Sequence, residues 1–462
     1  MSKEKTSFKG TIGFVLTAAG SAVGLGNIWR FPYLAARDGG GLFLVIYLFF
    51  AVTFGFTLLT TDLAIGRRTK KSALTAYGEV KKGFGWLGVF ACIVPFLVLP
   101  YYCTIGGWVL KFFVAYITGH GADAASDGYF AEFVSAGYES VIYMAVFSIL
   151  SAVVIVLGVN GGIENLSKIV MPVLILAVIA IAVFSLTVSK TNEEGKLITG
   201  LDGLKVYLVP NLEGMTVKRV FYIAMDALGQ LFYSLSVAMG IMITYGAYVP
   251  DDSNLVKSIT SIELFDTMIA FLAGVMIVPA VYVFMGSGMM DQGPALMFVS
   301  LPRVFSEMGA VGGVVGAAFF GMVLFAALTS AVSMYEAVVS SIIDKFSMKR
   351  WKAVLIEMAI VLVIGFVVCK GYNDLYFDIM LPNGSHAQIL DIMDYISNQM
   401  VIPVVAISTC ILIGWIKGSD YVIAEITKNG ERFRRAGLYK VMVKFVAPTL
   451  VLILFLMALG LF

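Results

Sequence analysis

The chain has 462 residues, 59% of them hydrophobic and 13% charged, with a mean hydropathy of +0.91, whereas a soluble domain carries about 25% charged residues. That composition excludes a soluble enzyme, and a formal charge of +2 without a basic stripe gives nucleic-acid binding no support. Cys92, Cys103, Cys369 and Cys410 sit in apolar stretches without C-x-x-C spacing, and the chain has two histidines, His120 and His386, so neither a disulfide scaffold nor a zinc site is expected.

Measured against the ~20 residues that cross ~30 Å of hydrocarbon, the apolar runs predict eleven spans, near residues 11–36, 41–66, 86–118, 141–157, 165–189, 219–248, 258–285, 314–343, 353–370, 387–416 and 441–462. Each is helical, because a segment in lipid must satisfy its own backbone and the runs far exceed a barrel strand. Span one is not a signal peptide: Gly20, Gly24 and Gly26 interrupt it, and ten further spans follow. With the N-terminus in the cytoplasm, 21 Lys and Arg fall in cytoplasmic loops and 8 in the opposite loops, so the positive-inside rule puts the N-terminus inside and the C-terminus outside.

Spans one and six depart from a plain hydrophobic helix in corresponding places. Span one reads Gly20-Ser-Ala-Val-Gly-Leu-Gly-Asn27, followed by Arg30, and a charge at membrane depth costs at least ~2.5 kcal/mol. Span six reads Ser234-Leu-Ser-Val-Ala-Met-Gly240. The two lie five spans apart. Five being odd, a repeat of spans one to five by spans six to ten is inverted in the membrane, and its broken helices meet at the midplane to build an ion and substrate site. The division that follows is a first repeat over 1–189, an outer loop over 190–218, a second repeat over 219–416, and a cytoplasmic loop with span eleven over 417–462. Gly312, Gly316 and Gly321 in span eight fit a packing face instead.

A sodium ion stripped of water needs about five or six oxygens, and an unwound helix frees carbonyls for it. Further oxygens come from Ser234 and Ser236, from Asp266 in span seven, and from Thr329, Ser330 and Ser333 in span eight. Asp62 reads as a solvated residue at the cytoplasmic end of span two, Glu336 and Glu357 as polar pairs or proton sites, and Tyr101 as a lipid-facing or packing group.

The run Gly20-Ser-Ala-Val-Gly-Leu-Gly-Asn-Ile-Trp-Arg-Phe-Pro-Tyr33, then Gly39-Gly-Gly41, resembles the first-helix signature of the neurotransmitter:sodium symporter family. The resemblance extends to Tyr101-Tyr102, to Gln230–Ser236, to Ile243–Tyr248 and to Leu328-Thr-Ser330, and eleven spans resemble its short bacterial branch. It implies an all-α polytopic membrane protein of the leucine-transporter type: a 5+5 inverted repeat with helices one and six discontinuous, plus an eleventh helix.

It further implies two sodium sites. The first comprises the Ala22 carbonyl, Asn27, Ser234 and Asp266 with the substrate carboxylate; the second, the carbonyls of Gly20, Val23 and Ala326 with Thr329 and Ser330. The implied substrate contacts are Ala22, the Leu25 and Gly26 amides and the Tyr102 hydroxyl for the carboxylate, with Val98, Tyr233, Ser236, Met239, Ser330 and Met334 around the side chain. Arg30 with Asp394 resembles the outer gate, and Lys5, Phe8, Tyr248 and Asp344 the inner one, where the family commonly has arginine and tryptophan in place of Lys5 and Phe8. Amine carriers place an aspartate where this chain has Gly24, so the substrate is expected to bring its own carboxylate. Asp266, standing at a usual asparagine, is expected to replace the chloride that relatives hold near the positions of Tyr47, Gln230, Ser234 and Asp266 itself. Ala238 stands at a usual glycine and is expected to place a methyl beside the substrate.

The expectation is a sodium symporter of the cytoplasmic membrane for hydrophobic, neutral L-amino acids, aliphatic or aromatic, working without chloride. The alternatives are a sodium symporter for another zwitterionic solute or an ion channel. No motif supports an enzyme. The expected partners are the amino acid and the lipid bilayer, with no nucleic acid, and the oligomeric state is open.

Overall fold

The computed structural model describes residues 7–191, 195–286 and 296–461. Among them, nine helices are long and apolar enough to cross a bilayer: Gly41–Thr69, Gly85–Ile117, Glu139–Val156, Val159–Thr187, Leu255–Met285, Ala310–Phe346, Arg350–Lys370, Ile389–Ile416 and Ala436–Ala458. They fall on predicted spans two to five and seven to eleven. The pair Thr11–Ala22 and Gly26–Arg37, bent by 55°, is span one. Span six is Val217–Ser234 followed by Ile241–Tyr248. Its first half is less apolar than the rest, since it carries Lys218, Arg219, Asp226 and Gln230. Two short antiparallel hairpins, Ser189–Thr191 with Leu197–Thr199 and Ile379–Met380 with His386–Ala387, lie outside the spans.

The packing follows the inverted repeat. Both halves of span one pack against span seven, and the second half of span six packs against span two, which is the same contact under exchange of the repeats. Span three packs against span eight, its own repeat partner. The approach of spans two and six is close: a Cβ on Gly66 would stand 2.0 Å from the Ile243 carbonyl, and one on Gly246 2.5 Å from that of Leu63. Helices without side chains at the contact reach van der Waals packing between backbones, the main attraction available where lipid offers no hydrophobic drive. The two breaks therefore lie side by side at the centre, walled by spans two, three, seven and eight.

Candidate transport site

Break one begins where the first half of span one ends at Ala22. Val23 is extended (φ −76°, ψ 96°) and helix resumes at Gly26. The neighbours dictate the glycines here. A Cβ on Gly24 would lie 2.7 Å from Ser330 Oγ and 3.2 Å from the Tyr102 hydroxyl, and one on Gly26 2.6 Å from the Tyr233 ring. Asn27 reaches back across the gap, its Oδ1 accepting the Gly24 N–H at 3.2 Å. The first amides of the resumed helix have no carbonyl one turn earlier, so the backbone of Leu25 and Gly26 presents N–H groups and the positive end of a helix dipole to an anion.

Break two runs from Leu235 to Gly240, and there Ser236 (φ 53°), Ala238 (φ 58°) and Gly240 (φ 75°) occupy the left-handed region. For a residue with a Cβ that conformation costs ~1–2 kcal/mol. Polar ties hold it: the Ala238 N–H donates to Asp62 Oδ2 at 2.9 Å, and Ser236 Oγ donates to the Ser21 carbonyl at 3.1 Å. The solvated reading of Asp62 is thereby corrected. Asp62 is 2% exposed, because it lies inside the helix Gly41–Thr69 and that helix sets it against the irregular turn of break two. Ala238 does not line the central cavity, which corrects the expectation of a methyl beside the substrate.

Asp266 of span seven joins the two breaks. Its Oδ1 accepts from Asn27 Nδ2 at 2.8 Å and from Ser234 Oγ at 2.5 Å, and its Oδ2 from the Tyr47 hydroxyl at 3.4 Å. Asn27 and Ser234, both expected at the first sodium site, thus meet on the carboxylate of Asp266, with Ala22 on the same cavity as Asn27 and Ser234. At the other side of break one, Ser330 Oγ donates to the Ser21 carbonyl at 3.1 Å and Thr329 Oγ1 to that of Ala326 at 3.0 Å. A Cβ on Gly20 would stand 3.4 Å from Thr329 Cβ, so span eight brings Ala326, Thr329 and Ser330 to the stretch that holds Gly20 and Val23. Carbonyls and hydroxyls around one carboxylate suit a hard monovalent cation rather than a soft metal.

Ala22, Leu25, Gly26, Val98, Tyr102, Tyr233, Ser236, Met239, Ser330 and Met334 all line one central cavity with Asn27 and Ser234. The Tyr102 hydroxyl there is buried with no hydrogen-bond partner among the described residues, which fits a donor awaiting a carboxylate. The cavity is narrow, about 30 Å³.

Beyond it opens a vestibule of about 500 Å³ lined by Arg30, Tyr233, Asp394 and Asn398 among others. Arg30 stands over the Tyr233 ring at 5.7 Å and makes no ion pair with Asp394. Asp394 Oδ1 instead accepts from the Tyr101 hydroxyl at 2.9 Å and from Asn398 Nδ2 at 2.6 Å. The opposite end is closed. Phe8, 2% exposed, packs on Phe14, Tyr245 and Tyr248, and its N–H donates to the Tyr248 carbonyl at 3.0 Å. The Tyr248 hydroxyl donates to Glu336 Oε1 at 2.6 Å, Arg350 pairs with Glu336, and Asp344 Oδ2 accepts the Ser72 N–H at 2.7 Å. Lys5 lies outside the described residues.

Sequence reasoning missed four of these groups. Asn398 had a signal, a polar residue one turn after Asp394 in an apolar span. Tyr101, expected to face lipid or to pack, is 1% exposed and bonded to Asp394, which corrects both expectations. Arg350 and Asp62 owe their roles to approaches between distant segments.

The sequence profile of the sodium:neurotransmitter symporter family matches residues 5–127 and 134–462. The sodium-dependent transporter YhdH of Bacillus subtilis is 33% identical over all of this chain and 99% of its own. The crystal structure of MhsT in complex with L-phenylalanine superposes with a TM-score of 0.86 at 32% identity, covering 98% of this chain and 100% of that one. The sodium- and chloride-dependent GABA transporter 2 of Mus musculus is 26% identical over 90% of this chain and 74% of its own.

Proposed function

We propose a substrate and a mechanism on an established premise: this chain belongs to the sodium:neurotransmitter symporter family and is a sodium-dependent, multi-pass membrane symporter. Its substrates are hydrophobic L-amino acids, aliphatic or aromatic, and chloride is not required. The observation that carries this reading is the meeting of Asn27, Ser234 and Asp266 between two broken helices, on a cavity whose far wall is Val98, Tyr233, Met239 and Met334. Nothing on that wall can pair a second charge, so an acidic or basic side chain would be buried unpaired. Met239 and Met334 are flexible and polarizable and can reshape a narrow cavity around side chains of different size. The complex of MhsT with L-phenylalanine is consistent with such a pocket in a relative.

The substrate carboxylate meets the Tyr102 hydroxyl and the Leu25 and Gly26 amides. It also completes the first sodium site, which couples the ion to the substrate, and a second ion lies among Gly20, Val23, Ala326, Thr329 and Ser330. Entry is through the vestibule; Arg30 then swings from Tyr233 to Asp394, and release follows when the contacts around Phe8, Tyr248 and Asp344 open, with Lys5 proposed as a further member of this inner gate. The membrane is the cytoplasmic one, with the N-terminus inside and the C-terminus outside, and the repeats divide at 189 and 219. Each inward sodium contributes ~2.3 kcal/mol per 100 mV and ~1.4 kcal/mol per tenfold gradient. Two ions are enough for strong accumulation.

Purified protein in liposomes under an inward sodium gradient tests the reading. Labelled leucine is expected to accumulate, with tyrosine, tryptophan and phenylalanine competing and glycine or glutamate not. Better competition by glycine or glutamate overturns the substrate class; downhill flux that never exceeds equilibrium would make the protein a channel.

A further inference from the structure

On the side of the molecule where spans two and seven face lipid, the chain entering span eleven closes a groove of about 520 Å³. Its walls include Leu48, Val52 and Leu264, which are 52%, 42% and 65% exposed. Its rim carries Arg432, Arg434 and Arg435.

The three arginines are not equivalent. Arg435 is fully engaged: its guanidinium lies 3.6 Å over the Phe56 ring, and Nη2 reaches Glu263 Oε2 at 3.0 Å and Thr260 Oγ1 at 3.2 Å. Its Nη1 takes the Val52 carbonyl at 3.4 Å, inside the π-helical turn Ala51–Gly55, where the widened helix leaves carbonyls available. Glu263, 6% exposed, is thereby spent on Arg435. Glu431, the nearest acid in sequence, turns back to accept the Asn429 N–H at 2.9 Å. Arg432 and Arg434 are exposed and have no ion pair or hydrogen bond among the described residues. The rim thus carries three guanidinium groups against one carboxylate.

We propose that this groove binds one phospholipid with an anionic headgroup, its phosphate held by Arg432 and Arg434 and an acyl chain lying against Leu48, Val52 and Leu264. Guanidinium forks match phosphate oxygens two at a time, and basic pockets between membrane helices are suited to anionic headgroups. A zwitterionic headgroup would bring a cation to a rim already in positive excess. A free phosphate would leave the apolar walls unused.

Native mass spectrometry of the full-length protein in detergent, titrated with phosphatidylglycerol or phosphatidylcholine, tests this. Wild type is expected to retain phosphatidylglycerol in preference to phosphatidylcholine. Arg432→Gln and Arg434→Gln should each weaken retention about fivefold, the equivalent of about 1 kcal/mol per charge. Val52→Trp, which fills the wall and leaves the rim charge intact, should also release the lipid. Equal retention of the two lipids by wild type, or undiminished phosphatidylglycerol on both kinds of variant, overturns the proposal. Displacement of the lipid by millimolar glycerol phosphate or inorganic phosphate overturns it as well, because the site would then be one for free anions.

Discussion

The two helix breaks do the same topological work by opposite devices. Break one is made by missing atoms: Gly24 and Gly26 leave room beside Ser330, Tyr102 and Tyr233 that any Cβ would fill. Break two is made by strained atoms, with Ser236 and Ala238 held at positive φ by ties to Ser21 and Asp62. The first is therefore space shaped for a ligand, and changes there should fall on ions and substrate. In the second, Ser236 and Met239 face the cavity while the backbone is held in place by partners, and loss of those ties should fall first on stability and on the ease of rearrangement.

Asn27→Leu should produce the largest effect, because it removes a proposed sodium ligand and also one of the two donors to Asp266 Oδ1. A hydrogen bond to a charged group is worth ~1.5–3 kcal/mol, so sodium affinity should fall about ten- to a hundredfold at unchanged membrane insertion. Sodium titration of uptake in liposomes checks this, with Thr329→Ala expected to do the same more weakly. Wild-type sodium affinity in both would show that break one is not an ion site.

Asp266→Asn tests the same break from the other side. The carboxylate supplies a fixed charge between Asn27, Ser234 and Tyr47, and its loss should leave sodium without a counter-charge. Uptake by the variant should drop about tenfold in gluconate, or ~1.4 kcal/mol, and recover in part when chloride is restored. Wild type should show no difference between the two salts.

Asp62→Ala carries the comparison to break two. It leaves the buried Ala238 N–H without its acceptor, which costs ~1–3 kcal/mol, and thermal unfolding in detergent should shift down while sodium affinity in the surviving protein stays near wild type. Adding Ala238→Gly should return about 1 kcal/mol, since glycine needs no tie to remain at positive φ. A loss of sodium affinity as large as that of Asn27→Leu would erase the distinction between the breaks.

How much of this was legible in the sequence follows the same line. Break one could be read directly, because three glycines, an asparagine and an arginine within eleven residues of an apolar run do not suit an unbroken helix in lipid. The expected lining residues also fall around one cavity, since they sit on the breaks and on the spans that must flank them in an inverted repeat. What could not be read depends on chain segments meeting at a distance. Asp62 lies 176 residues from Ala238, and its solvated reading was the sensible one for an acid near a helix end. Glu336 needed Arg350 from the start of the next helix, and Tyr101 needed Asp394 from span ten. Hydropathy also underrates span six, whose first half lays Arg219 and Asp226 beside the Arg37–Asp38 pair rather than in lipid.

Ala238→Gly alone should have the smallest effect and separates two accounts of that position. From sequence, its methyl stands beside the substrate, and removing it shifts preference toward the bulkiest rings. In the structure Ala238 is 3% exposed and off the cavity wall, with Ser236 and Met239 lining the cavity in its place. Its φ of 58° then matters more than its methyl. Relief of the left-handed conformation gains ~1–2 kcal/mol, while the added freedom of glycine in the unfolded chain takes back ~0.4–1 kcal/mol. The variant should therefore be as stable as wild type or more stable by about 1 kcal/mol, with leucine, phenylalanine and tryptophan competing in the same order as before. A competition series shifted toward tryptophan at unchanged stability would show that the methyl meets the substrate.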